Sequence, residues 1–452
     1  MTTGSGGGLL ELATQVAGWA RAGEEVEAYV ARGRDTDIEV FSGEVESLSS
    51  AESAGIGIRV VSGSRQGFAY AGSLDADVVA ETLAEARDNA GFSSLDEWVG
   101  LARPDGVAAA PLDLWRDELA DHPTAEKVAR ALELERVVRA ADPRIRQVQS
   151  AGWGDSSFES AVVTSTGISA TSRRTVCYLS ASAAATEGGE TQTGSGYSVG
   201  RSPDDLDLEE AAADAVTRAT RLLGARKPPS AHLTVVLEPR ITATLLGILA
   251  GTLNGEAVLK GRSLFADRLG ETVSTSLLTL VDDPTDPEAF GAAVYDAEGL
   301  ATRRNPLIEG GVLQRFLYNS YSGRRAGTTS TGSAVRGGFK GAPGTGARAL
   351  MVAPGDEDPE AIYRRVGDGL LVQSVSGIHS GVNPVSGDFS VGAEGLLIRH
   401  GELAGPVREI TVASTLQRML QGIVAVGSDI ERLPSSAAGV TLAIADMAMG
   451  GS

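Results

Sequence analysis

The amino-acid sequence predicts an α+β fold: a duplicated helix–strands–helix N-terminal half, followed by a β-rich C-terminal domain with a few helices. Three observations predict it. Segments of helical apolar spacing bracket runs of period-two alternation near the start. The same order returns after residue 123. Beyond residue 230, short β-branched runs separated by glycine turns dominate. The expected organisation is a first α+β domain at 1–95, a linker at 96–122, a central α+β domain at 123–228 and the β-rich domain at 229–452.

Each element follows from its pattern. "LLELATQVAGWARAG" (9–23) has helical apolar spacing. "EVEAYVARG", "DIEVFSGEVESLSS", "GIGIRVVSG" and "RQGFAYAGS" alternate and carry turn glycines, so they read as short strands. "DADVVAETLAEARDNAG" (75–91) is a helix with Asp75 or Asp77 near its start and Gly91 past its end. The Pro-bearing stretch 92–122 suits a linker. "TAEKVARALELERVVRAAD" (124–142) is a helix with Thr124 as its cap. "RIRQVQSAGW", "FESAVVTS" and "TVCYLSASAAA" read as strands. "PDDLDLEEAAADAVTRATRLLGA" (203–225) is a helix whose first turns crowd acidic residues where its dipole favours them. "AHLTVVLEP" is a strand, 240–252 a helix, and 413–424 a further helix among the late strands. Glycine-rich polar segments at 326–347 and 376–395 read as long loops, and loops of that length are often functional.

Composition narrows the function classes. The chain has 452 residues, 42% hydrophobic and 22% charged, which marks an ordinary globular protein. A formal net charge of −20 repels phosphate backbones and anionic lipid, so neither nucleic acid nor a membrane surface is an expected partner. Cys177 is the single cysteine, which excludes an intrachain disulfide and a multi-cysteine zinc site. The start lacks a basic region before its apolar residues, and no apolar run is long enough to span a bilayer. The expected location is the cytoplasm.

Several motifs invite chemistry and fail on context. "GYSVG" (196–200) matches G-x-S-x-G with Ser198 as nucleophile, but no helix follows immediately and Pro203 marks the next helix start. "GEAVLKGRS" (255–263) is one residue too long for a phosphate loop, with Arg262 where lysine belongs. "GGFKGAPGTG" (337–346) lacks strand-to-helix framing, and "VDDPTDPE" (281–288) lacks the ligand alternation of a calcium loop. His122, His232, His379 and His400 include no i, i+4 pair and no H-E-x-x-H.

Read together, a set of stretches resembles one family. They are "FSGEVESLSSAESAGIGIRVVSGSRQGFAYAG" (41–72), "LNGEAVLKGRSLFADRLGE" (253–271), "LLTLVDDP" (277–284), "YDAEGLATRRNPLIEGGVLQRFLYNSYSGRRAG" (295–327), "GVNPVSGDFSVGAEGLLIRHGEL" (381–403) and "PVREITVASTLQRMLQGIVAVGSDIE" (406–431). In this order they resemble the TldD/PmbA family, and its PmbA branch, also called TldE, above all. The resemblance implies a cytoplasmic heterodimeric zinc metallopeptidase that degrades or trims unfolded peptides, such as precursor peptides and antitoxins. It implies that TldD-type chains carry the zinc on an H-E-x-x-x-H motif and a C-terminal cysteine, while their partners lack the metal and shape the cleft.

Aligned on Gly261, the motif's first histidine falls at Leu246, its glutamate at Gly247 and its second histidine at Gly251. Leucine and glycine cannot ligate zinc, and no carboxylate remains there to activate water. Cys177 lies far upstream of the family's cysteine. The resemblance therefore implies a chain with no cofactor of its own, zinc in a TldD-type partner, and no peptidase activity alone. Unfolded peptide would dock as an added strand on a sheet edge, where backbone hydrogen bonding is largely independent of sequence. Arg262, Ser263, Arg336, Asn383, Asp388 and Phe389 are the expected cleft residues. The alternatives are a non-catalytic peptide-binding homodimer, or an independent hydrolase using Ser198 or a histidine cluster.

Overall fold

The computed structural model describes residues 7–452. Helix α1 (Gly7–Ala17) leads into a meander of β1 (Glu24–Phe41), β2 (Glu44–Ser62) and β3 (Arg65–Ala71), and α2 (Ala76–Phe92) follows. After the short α3 (Asp117–Ala120) the plan repeats as α4 (Thr124–Ala141), β4 (Ile145–Thr164), β5 (Ser169–Glu187), β6 (Glu190–Gly200) and α5 (Leu208–Thr220). The helix–strands–helix duplication is thus present in the topology. Its two meanders share one sheet: β1 pairs antiparallel with β4, giving the order β3-β2-β1-β4-β5-β6.

The strands are longer than their sequence patterns suggest. Two runs that read separately form the single 18-residue β1. No proline interrupts them, and the break falls only at Ser42 and Gly43, with φ of +56° and +81°. That left-handed pair makes the tight hairpin turn into β2. Thr124 is not a cap either. It is the first residue of α4, and the extended Pro123 before it occupies the N-cap position without a side-chain bond.

Burial sorts the sheet's two faces. Val26, Ala28, Val30, Ile56 and Ile58 pack under Leu9, Ala13, Val79 and Leu83 of the first helix pair. Ile38, Trp153 and Leu179 pack under Leu134, Val138, Ala211 and Ala215 of the second. On the opposite face Tyr29, Ala31, Val162 and Ile168 meet Leu300 and Phe339 of the C-terminal domain. The linker region is tied to the sheet. The Leu101 N–H donates to Glu25 Oε2 at 2.8 Å, and the Leu114 carbonyl accepts from Thr175 N at 2.9 Å.

The C-terminal domain opens with β7 (Ala231–Leu237), α6 (Pro239–Thr252) and α7 (Gly255–Leu259). It continues with β8 (Leu280–Asp282), β9 (Asn305–Glu309), β10 (Val312–Leu313), α8 (Ser320–Arg325), β11 (Ala334–Val335), β12 (Gly344–Thr345) and β13 (Leu350–Val352). Then come α9 (Pro359–Val366), β14 (Gly369–Ser376), α10 (Ile378–Gly381), β15 (Asp388–Arg399), β16 (Glu402–Thr415) and α11 (Leu416–Gln421). The chain ends through β17 (Ile423–Val426), β18 (Glu431–Arg432), β19 (Ala437–Gly439) and β20 (Leu442–Gly450). One sheet runs β16-β15-β14-β7-β20-β17, and a further β16–β20 pairing closes a barrel-like ring. The other runs β10-β9-β8-β13-β19-β18, with α6 packed between the two.

The two glycine-rich segments are more ordered than loops. The first holds the β11–β12 pair and a 3-10 turn at Gly338–Lys340. The second becomes β15 from Asp388 onward. A Cβ on Gly395 would stand 1.8 Å from the Leu371 carbonyl oxygen, so this glycine allows close strand packing and not mobility.

Candidate functional site

Helix α6 is where the resemblance sets the family's metal motif. Glu238 is its N-cap and Pro239 its first residue, a position where a missing N–H costs nothing. Glu238 Oε2 pairs with Arg218 Nη1 at 2.9 Å, and Oε1 with Arg221 of α5 and its C-terminal turn. Arg240 bonds Asp214 and Glu431 and lies 3.9 Å over the Tyr197 ring. These contacts pin the helix start against the second meander. Further along, Leu246 is 1% exposed and belongs to the core. Gly247 and Gly251 are exposed, with nothing within 4 Å of where a Cβ would stand. These three positions thus present one buried leucine and two bare turns of backbone. Among the described residues, no group of three or more His, Cys, Asp or Glu stands close enough to hold a metal ion. The side chains present do not fit zinc.

The histidines lie on separate elements. The His122 ring stacks on Trp153 with centroids 5.4 Å apart. His232 Nδ1 is 3.3 Å from Asp446 Oδ1, and both side chains are exposed. His379 is on α10, and His400 sits in the turn after β15 with φ of +52°. Cys177 is fully buried, and burial with the nearby Asp205 and Asp155 pushes its thiol up to about 12, which silences it as a nucleophile. Ser198 lies within β6 opposite Leu179, and its Oγ accepts the Asp207 N–H at 2.9 Å. The G-x-S-x-G stretch is strand, not a nucleophile elbow.

The expected cleft residues fall into three places. Arg262 is exposed after α7. Its neighbour Ser263 is buried, donating to the Thr252 carbonyl at 2.5 Å and accepting from Phe265 N. Asn383, Asp388 and Phe389 lie together at the start of β15. Asn383 Oδ1 accepts from Val385 N at 2.9 Å, Ser386 Oγ donates to Asp388 Oδ2 at 2.7 Å, and Phe389 is in the core. Arg336 stands apart, between the long sheet and the C-terminal domain.

Around Arg336 lies a charged cluster that sequence reasoning missed. Glu27 accepts from Arg59 Nη2 at 2.5 Å and from Arg336 Nη2 at 2.7 Å. Arg59 Nη2 is also 3.5 Å from Glu298 Oε1. Arg336 donates to the Ala297 carbonyl at 2.6 Å and lies 4.3 Å over the Tyr29 ring. Every ionic side chain here is at most 4% exposed. Burial alone would raise the Glu27 carboxyl, but the two guanidiniums outweigh it and hold the group below its ordinary range. Nearby, Asp296 accepts the Glu298, Leu300 and Ala334 N–H groups. Burial and the Glu298 charge push it up to about 7. One signal was available: Glu27, Arg59 and Asp296 sit inside apolar runs ("EVEAYV", "GIGIRVV", "AAVYDAE"), where a charge needs a buried partner. Beside this cluster a cavity of about 310 Å³ opens between the sheet and residues 292–297 and 336–348.

A six-stranded duplicated meander backed by helices, and faced by a barrel-bearing domain, defines the fold class. Comparison with known proteins gives the family. Three profiles match in order: PmbA/TldA metallopeptidase domain 1 at 26–90, the central domain at 117–223 and the C-terminal domain at 230–451. The metalloprotease PmbA of Escherichia coli O157:H7 is 30% identical over 94% of this chain and 92% of its own length. The PmbA homolog of Haemophilus influenzae is 28% identical over 93% and 90%. The crystal structure of TldE from Thermococcus kodakarensis superposes with a TM-score of 0.89 at 24% identity, covering 98% of this chain and 99% of that one. The chain belongs to the PmbA/TldD metallopeptidase family.

Proposed function

We propose that this chain is the zinc-free, TldE-type subunit of a heterodimeric metallopeptidase acting on unfolded peptides. It pairs with a TldD-type subunit that carries H-E-x-x-x-H and supplies the zinc, and it completes the substrate cleft in the cytoplasm. One observation carries the reading: where the family's catalytic helix needs two histidines and a glutamate, α6 has Leu246 in the core and Gly247 and Gly251 bare. A sheet edge supports the peptide part. Residues Glu44–Ala54 of β2 are exposed, because β3 pairs only with Ile56–Ser62. The outward N–H and C=O groups of that edge can take an extended chain of any sequence.

The test mixes purified chain with a TldD-type chain and assays cleavage of an unstructured peptide. The expected result is no cleavage by this chain alone, co-elution of the pair, and cleavage that needs both. Cleavage by this chain alone would overturn the reading. Peptide binding without cleavage, unchanged by the second chain, would favour a binding homodimer.

A further inference from the structure

The cavity between the long sheet and the C-terminal domain has more arginines than acids in its wall. Tyr29, Val162 and Ala170 from β1, β4 and β5 form its floor, and Arg174, Arg336 and Arg348 converge on it. Arg336 is held by Glu27 and the Ala297 carbonyl, and Arg348 Nη2 donates to the Ala334 carbonyl at 3.3 Å, so Arg174 is the arginine left for a ligand. Among the described residues, Arg174 has the Arg348 charge as its neighbour and no carboxylate partner. Burial lowers its pKa first, and the neighbouring Arg348 charge lowers it further. The one acid in the wall, Asp296, already accepts three backbone N–H groups.

We infer that this cavity binds a carboxylate joined to a small apolar group. The Arg174 fork matches a carboxylate's paired oxygens, and Val162, Ala170 and Val294 give the rest of the ligand an apolar wall. The volume suits a ligand of one or two residues' size. The site stands apart from α6 and does not depend on the peptidase reading. Two sources share this chemistry: a free short carboxylic acid and the C-terminus of a peptide.

Calorimetric titration of the full chain tests this with four probes: N-acetyl-leucine, its amide, trialanine and trialanine amide. The acid of at least one pair should bind roughly tenfold more tightly than its amide or better. The pair that shows the preference identifies the source. The preference should vanish in Arg174→Gln and be weakened but not lost in Arg174→Lys, which keeps the charge without the fork. Should Arg174→Gln melt early, Ser172→Glu replaces it by placing a tethered carboxylate at the cavity wall, and should block the acid. Equal binding of acids and amides, no binding by any probe at millimolar concentration, or a preference that survives both Arg174→Gln and Ser172→Glu would overturn the inference.

Discussion

Asp282 is buried at 1% exposure, and its Oδ1 alone accepts both the Arg348 and Ala349 N–H groups. Burial pushes its carboxyl up to about 6 from an ordinary 3.8. A carboxyl raised in the folded state stabilises fully below its unfolded pKa, and that stability is lost as pH rises through the folded value. Asp282→Asn keeps the accepting oxygen and removes the titration. Thermal melts should show the wild type losing stability relative to the variant between about pH 4 and 6, by roughly 3 kcal/mol. Parallel pH curves would contradict this. The Glu27 cluster behaves differently, because its charge is compensated. Glu27→Ala leaves Arg59 and Arg336 buried without their shared acid, and should cost about 3–5 kcal/mol in a denaturant titration. At this scale the sequence showed the charges inside apolar runs but not their partners. Glu27 and Arg336 are separated by 309 positions, and no local pattern joins them.

At the scale of elements the duplication was legible, because helical and period-two spacing are local signals. The pairing of the two halves was not. It rests on β1 meeting β4, and periodicity names no partner for a strand. The halves also share a packing device. In β3 a Cβ on Gly67 would stand 2.0 Å from the Ala86 carbonyl oxygen of α2, and in β6 one on Gly196 would stand 2.0 Å from the Ala211 carbonyl oxygen of α5. Each closing helix rides directly on strand backbone through small residues. Gly67→Ala and Gly196→Ala should each destabilise by about 1–3 kcal/mol, with their effects adding because the sites are in separate cores. Unchanged melting temperatures would show that the helices can lift away. The long strand β2 was read as pieces, because its outer half is exposed on both faces and carries no core signal.

For the whole molecule, the family resemblance rested on ordered stretches along most of the chain, and the matching profiles follow that order. The candidate site was legible only in part: α6 carries no His, Cys, Asp or Glu, while the arginine cavity is assembled from strands and turns that only the fold brings together. No helix among the described residues is long and apolar enough to cross a membrane. An exposed strand edge invites pairing with an extended chain, and the Glu44–Ala54 edge is the proposed place for it. Leu48 on that edge is 49% exposed. Leu48→Glu should leave the melting temperature nearly unchanged, since isolated surface changes stay within about 0.5 kcal/mol. It should weaken binding of an unstructured peptide to the chain, measured by fluorescence anisotropy, whereas unchanged anisotropy would move the peptide to another edge.

The central claim is that this chain contributes no metal to a metallopeptidase. Elemental analysis of zinc per chain, on protein purified alone and dialysed mildly, tests it most directly. Essentially no zinc is expected. Zinc close to one per chain, lost when His232, His379 or His400 is replaced, would contradict it and make the chain a metallopeptidase in its own right.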